Sequence, residues 1–213
     1  MKRISLFLLL AVTGIFCCAC GGESGGKAKE ENLSELVTVV GEYTSVDSLG
    51  QGEHILVVKN NSSKTVQVDT NVTVKDASDK IIGAKATSID AIASGSEACI
   101  VTEIFDISGA ADFQYTISVE EDTRYESSVQ DVSFEQSLVD DKVVVICTNN
   151  GEESVKNTEV NALFFQDGEF VCRGINWIPE IKAGATVSIE VRPYGTYQNM
   201  TCDEAKVYLY GWR

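Results

Sequence analysis

Beyond residue 32 the apolar residues fall in short runs and not at helical spacing. Leu36-Val37-Thr38-Val39-Val40, His54-Ile55-Leu56-Val57-Val58, Val72-Thr73-Val74 and Val143-Val144-Val145-Ile146 are dominated by β-branched side chains, and clusters of Gly, Asn, Asp and Ser separate them. Branching at Cβ suits a pleated, half-buried backbone, so these runs predict strands. Phe113–Val119 and Ala205–Tyr210 alternate apolar with polar, as a strand with one buried face does. No long amphipathic helix interrupts the series. Short strands with turn signals between them predict an all-β sandwich or barrel.

The chain also repeats itself at a shift of 89 residues. Ile55–Asn61 matches Val144–Asn150, Val66 matches Val155, and Ile81-Ile82 matches Phe170-Val171. Ile89–Gly95 then matches Ile178–Gly184, and Ile100 falls on Ile189. Apolar positions and turn residues keep one register without a gap, which predicts two copies of one domain, each close to the ~100 residues of an Ig-like sandwich. The expected division is 33–122 and 123–213. Within each copy a strand enters an Asn-Asn pair, whose tolerance of left-handed backbone suits a tight reversal. A hairpin signal follows, Ser78-Asp79-Lys80 in one copy and Asp167-Gly168-Glu169 in the other. Gly95 or Gly184 precedes the next strand.

Each copy resembles the FxLYD-type domain, an Ig-like β-sandwich of lipoproteins and secreted proteins in Gram-positive bacteria. The first copy has Val72-Thr73-Val74-Lys75-Asp76 where the family has its named motif; it keeps the alternation and the Asp and lacks both aromatics. The second has Asn161-Ala162-Leu163-Phe164-Phe165-Gln166-Asp167, with Leu, an aromatic and an Asp two residues late. The resemblance covers nearly all of the chain after residue 32. It implies two tandem Ig-like antiparallel β-sandwich domains and no catalytic residues.

The amino end reads differently. Met1-Lys2-Arg3 is basic and Ile4–Phe16 almost wholly apolar. That run is short of the roughly 20 apolar residues a bilayer span needs, and with small residues after it the segment reads as a secretory signal. Cys17-Cys18-Ala19-Cys20-Gly21-Gly22 resembles a bacterial lipoprotein signal, with Ala19 before the acceptor Cys20; Cys17 stands where the family most often has Leu. The resemblance implies a signal peptide over 1–19, lipidation of Cys20 and a cell-membrane anchor on the extracytoplasmic face. Residues 20–32 are then the lipidated Cys and a Gly-rich, charged tether without large apolar side chains.

Charge narrows the function. Lys+Arg number 17 against 32 Asp+Glu, a net charge of −15, which argues against nucleic acid as a partner because phosphate contacts need clustered bases. A single histidine, His54, excludes an HExxH zinc site and is the one candidate base for nucleophile–base chemistry. His54 corresponds to Val143, which points to a structural role. Glu120-Glu121-Asp122 at the expected domain junction is a calcium candidate whose spacing fits no calcium loop, so no metal and no cofactor is assigned. Cys99, Cys147, Cys172 and Cys202 lie beyond the tether; Cys172 and Cys202 are candidates for a disulfide in an exported protein. Aromatics gather toward the carboxyl end: Trp177, Tyr194, Tyr197, Tyr208, Tyr210 and Trp212. Tyr194 and Tyr197, in an Arg-Pro-Tyr-Gly-Thr-Tyr loop, form a candidate ligand loop, because loops on rigid sandwiches often carry binding.

These features together predict a non-enzymatic, lipid-anchored binding or spacer protein of the bacterial cell envelope. Its partners would be the membrane, through the N-terminal lipid, and an envelope or surface protein or a glycan. Two alternatives belong to other classes: an accessory subunit of an envelope transport or secretion complex, and a secreted hydrolase working with carboxylates alone.

Overall fold

The computed structural model describes residues 32–47, 49–193 and 202–213. After one helical turn, α1 (Leu33–Leu36), every element is a strand. The first half holds β1 (Val37–Val46), β2 (Gly52–Asn60), β3 (Val66–Asp76), β4 (Ile81–Ile92), β5 (Glu97–Ile104) and β6 (Ala110–Glu121). The second holds β7 (Val132–Val139), β8 (Lys142–Asn149), β9 (Val155–Gln166), β10 (Glu169–Ile181), β11 (Thr186–Val191) and β12 (Glu204–Tyr210). The all-β expectation holds: the strands form four antiparallel sheets in sandwich-like pairs.

The same topology occurs twice. Sheets β1-β2-β5 and β4-β3-β6 make the first half, and β7-β8-β11 and β10-β9-β12 make the second. Each half closes on its own core. Leu56, Val58, Val66, Val68, Ile89 and Ile100 fill the first; Val143, Val145, Cys147, Val160, Ala162 and Phe164 fill the second. The anticipated Asp-Gly hairpin joins β9 to β10, with Asp167 at φ 53° and Gly168 at φ 79° inside the Gln166–Glu169 pair. Two successive left-handed residues match the twist of a tight hairpin. In the β3–β4 turn the Asp76 carboxylate accepts the Ser78 and Lys80 N–H groups at 2.8 and 3.1 Å, with Asp79 at φ 66°.

The Asn-Asn pairs correct a sequence expectation. None of Asn60, Asn61, Asn149 or Asn150 has a positive φ. Asn60 and Asn149 end β2 and β8 fully buried, and their amides hydrogen-bond backbone instead of forming a left-handed reversal. The Asn60 Nδ2 donates to the carbonyls of Lys64 and Ile92, and the Asn149 Nδ2 to those of Glu153 and Ile181. The primary amide has two N–H donors, enough to satisfy carbonyls on two separate segments at once, one of them buried.

The halves meet sheet to sheet. On β2, Leu56 and Val58 face the first core while Ile55 and Val57 face the other half. On β9, Ala162 and Phe164 face the second core while Leu163 and Phe165 point back. Ile55, Val57, Cys99, Leu163 and Phe165 form a third cluster at the seam, flanked by Tyr43, Val101, Phe170 and Tyr208. The bulge in β1 between Val39 and Gly41 supplies Tyr43: it switches the strand's faces, so Val39 lies opposite Val58 but Tyr43 opposite Ile55. Burying a large apolar side chain is worth roughly 1.5–3 kcal/mol, so a seam of this size holds the halves together as one compact unit.

The seam also accounts for the unequal motifs. Both faces of β9 are covered, and its residues 162–165 are a continuous apolar run. The outer face of β3 is half-buried to exposed, with Asn71 exposed, and there Val72-Thr73-Val74 alternates and has no aromatic.

Candidate functional site

Arg173 of β10 is the most heavily engaged polar side chain at the seam. It is 5% exposed. Its Nε and Nη2 donate to Glu53 Oε1 at 3.1 and 2.7 Å, its Nη2 also to Glu103 Oε1 at 3.1 Å, and its Nη1 to Asn161 Oδ1 at 3.1 Å. Glu53 and Glu103 belong to β2 and β5 of the first half, so one guanidinium bridges the two sandwiches. A charge this deep needs both compensation and oriented acceptors, and the planar fork of Arg meets several at once. Gly174, the next residue, lies where a Cβ would run into the Arg192 carbonyl, so β10 approaches the segment after β11 as only glycine permits.

Beside Arg173 a cleft of about 560 Å³ opens between the halves. One wall is Lys85–Ile89 of β4, whose outer edge pairs with no strand among the described residues. Alternate residues of β10, namely Arg173, Ile175 and Trp177, make the facing wall, and Cys99, Val101 and Glu103 of β5 lie beneath. Register adds a finer order. Glu159 of β9 lies opposite Trp177 on one side and opposite Tyr210 of β12 on the other. Trp177, Glu159 and Tyr210 are thus a row across three neighbouring strands, and all three line the cleft. Trp177 is 53% exposed. Glu159 accepts the Asn161 Nδ2 at 2.6 Å. Burial pushes the Tyr210 hydroxyl up to about 12.

Of the residues singled out from sequence, Trp177 and Tyr210 come together in this cleft, whereas Tyr208 belongs to the seam cluster and Trp212 packs at a tilt against Tyr125 with ring centroids 4.5 Å apart. Tyr194, Tyr197 and Cys20 lie outside the described residues. His54 is structural and interior: its ring stacks on Phe113, its Nε2 meets Glu42 Oε1 at 3.1 Å, and its Nδ1 has no partner among the described residues. Two of the three junction carboxylates are otherwise occupied. Glu121 pairs with Lys64 at 2.9 Å, while buried Asp122 accepts the N–H groups of Ala91, Arg124 and Tyr125. Burial alone would raise the Asp122 carboxyl, but those three donors outweigh it and hold it below its ordinary value. Among the described residues no three His, Cys, Asp or Glu converge as a metal site.

Cys172 and Cys202 carry free thiols in the structure, as do Cys99 and Cys147. Cys172 is buried in the second core and Cys202 is half-buried against it. Burial pushes Cys99 and Cys172 up to about 12 and Cys147 up to about 11.

Sequence reasoning passed over Arg173, Glu53, Glu103 and Glu159. The available signal was a lone Arg inside the apolar stretch Phe170–Ile175, where a charge has to be paired.

No family model and no curated protein matches the chain. Among solved structures, a transglutaminase from red sea bream aligns over 75% of this chain and 28% of its own, at 11% identity and a TM-score of 0.24. The chain therefore spans little more than a quarter of that protein, and the likeness is too slight to define a shared fold.

Proposed function

We propose that this chain is a lipid-anchored binding protein on the extracytoplasmic face of a bacterial membrane, and that it works by binding and not by catalysis. The cleft between the halves is its ligand site, and the observation that carries this reading is the half-exposed Trp177 on a rigid strand over a cavity of about 560 Å³. Small-ligand clefts fall in the range of roughly 300–1,000 Å³ and combine apolar walls with a few placed polar groups. The leader with Cys20 and the Gly-rich tether support the anchored placement. Partners of this kind of module are an envelope or surface protein or a glycan.

The hydrolase alternative gains one observation, since Glu103 and Glu159 share the cleft. Both accept hydrogen bonds from fixed neighbours, Arg173 and Asn161, which favours a binding surface over a pair poised for acid–base work.

Two experiments test the reading. A photo-crosslinking residue at position 177, activated in intact cells, should capture one envelope component; the same probe at exposed Phe134 should not. Equal capture from both positions would overturn the cleft as the site. Fatty-acid labelling should disappear in Cys20→Ala, and persistent labelling would overturn the anchor.

A further inference from the structure

We infer that the row Trp177–Glu159–Tyr210 binds an organic ammonium ion, an inference that rests on the cleft being the ligand site proposed above. Three observations lead there. First, strand register places a carboxylate between two aromatic side chains on one sheet face. Aromatic faces and a carboxylate attract the same species, a cation with a soft organic surface.

Second, Glu159 enters no ion pair among the described residues. Its partner is the neutral amide of Asn161, which orients the carboxylate and leaves its charge uncompensated. Arg173 is matched by Glu53 and Glu103, and the Lys85 ammonium lies 5.9 Å from the centre of the Phe105 ring. Of the charged residues lining the cleft, Arg173 and Glu103 are ion-paired, Lys85 is turned to Phe105, and Glu159 has no cationic partner among the described residues.

Third, the guanidinium that would be the cleft's strongest anchor for an anion is committed. The Arg173 fork is turned to Glu53, Glu103 and Asn161. The protein's net charge of −15 further favours cations and repels anions.

The chain has two tryptophans, so the two indole N–H signals of a nitrogen–proton NMR spectrum suffice, with Trp212→Phe identifying that of Trp177. The full chain is titrated with choline, with its neutral carbon isostere 3,3-dimethylbutan-1-ol, and with chitotriose. Choline should move the Trp177 signal saturably, and the isostere should bind at least about tenfold more weakly. Glu159→Gln, which keeps shape and removes charge, should weaken choline by a similar factor with an unchanged melting temperature. Equal affinity for choline and isostere, or no shift with choline, overturns the inference. A shift with chitotriose alone overturns the ammonium but keeps the cleft. Silence with all three probes, together with equal crosslinking from positions 177 and 134, removes the cleft reading as well.

Discussion

Asn60 and Asn149 stand 89 residues apart and make the same bonds. Each Nδ2 donates to a carbonyl four residues ahead, at 2.8 and 2.7 Å, and to one 32 residues ahead, at 2.9 Å in both. Each Oδ1 accepts the N–H two residues on, from Ser62 and Gly151. Each backbone carbonyl accepts the N–H of a left-handed glycine, Gly95 and Gly184. The repetition of such a specific bonding set shows that the sequence repeat is a repeat of structure.

Removing either amide should therefore cost a similar amount. Asn60→Ala and Asn149→Ala each take a donor from one buried carbonyl, that of Ile92 or Ile181, and each should lose about 1–3 kcal/mol in urea unfolding. Asn→Asp at either site should be worse at neutral pH, because a carboxylate would face two carbonyl oxygens.

Arg173→Ala should cost roughly 3–5 kcal/mol, as removal of one partner from a buried pair does. Glu53, whose side chain is 19% exposed, would be left without its strongest donor. Added salt should recover little of the loss, since the pair is shielded from solvent. Urea titrations at low and high salt check both statements.

Gly174→Ala should destabilise by about 1–3 kcal/mol or more, because the new methyl meets the Arg192 backbone and not a movable side chain. Gly95→Ala meets no neighbour but must hold φ 75°, and should cost only about 1 kcal/mol. Thermal melts of the pair separate steric from conformational cost.

Asp122 sets an acid dependence. Its carboxyl lies below the ordinary 3.8 in the folded chain, so its contribution is fully present above that value. It is lost as pH falls through 3.8 toward the lowered folded value, since protonation removes the acceptor of three N–H groups. Asp122→Asn should be less stable at pH 7 and show a shallower decline in acid, read from urea midpoints against pH.

The thiols should react in order of burial. In the native chain Cys202 should be labelled first at mildly alkaline pH, because it is only half-buried, with Cys99, Cys147 and Cys172 slow. Peptide mapping after denaturation without reductant then tests the Cys172–Cys202 bridge: a bridged chain would lose both from the labelled set.

Much of the fold was readable from residue order. Short β-branched runs, Asp167-Gly168, and the glycines at 95 and 184 are local signals, because strand propensity and left-handed backbone depend on the residue itself. The doubling of the chain was equally plain in its self-similarity. What sequence left undecided was how each signal would be used once distant segments met. The Asn pairs looked like reversals because their role depends on carbonyls 32 residues away. The β1 bulge turns Tyr43 to the other face, and period-two reasoning does not anticipate that. The seam, the Arg173 bridge and the Trp177–Glu159–Tyr210 row exist only because two sheet faces stack and three strands align. Local chemistry determines which residues can form strands and turns; pairing register and face-to-face packing, which are long-range, decide which side chains become neighbours.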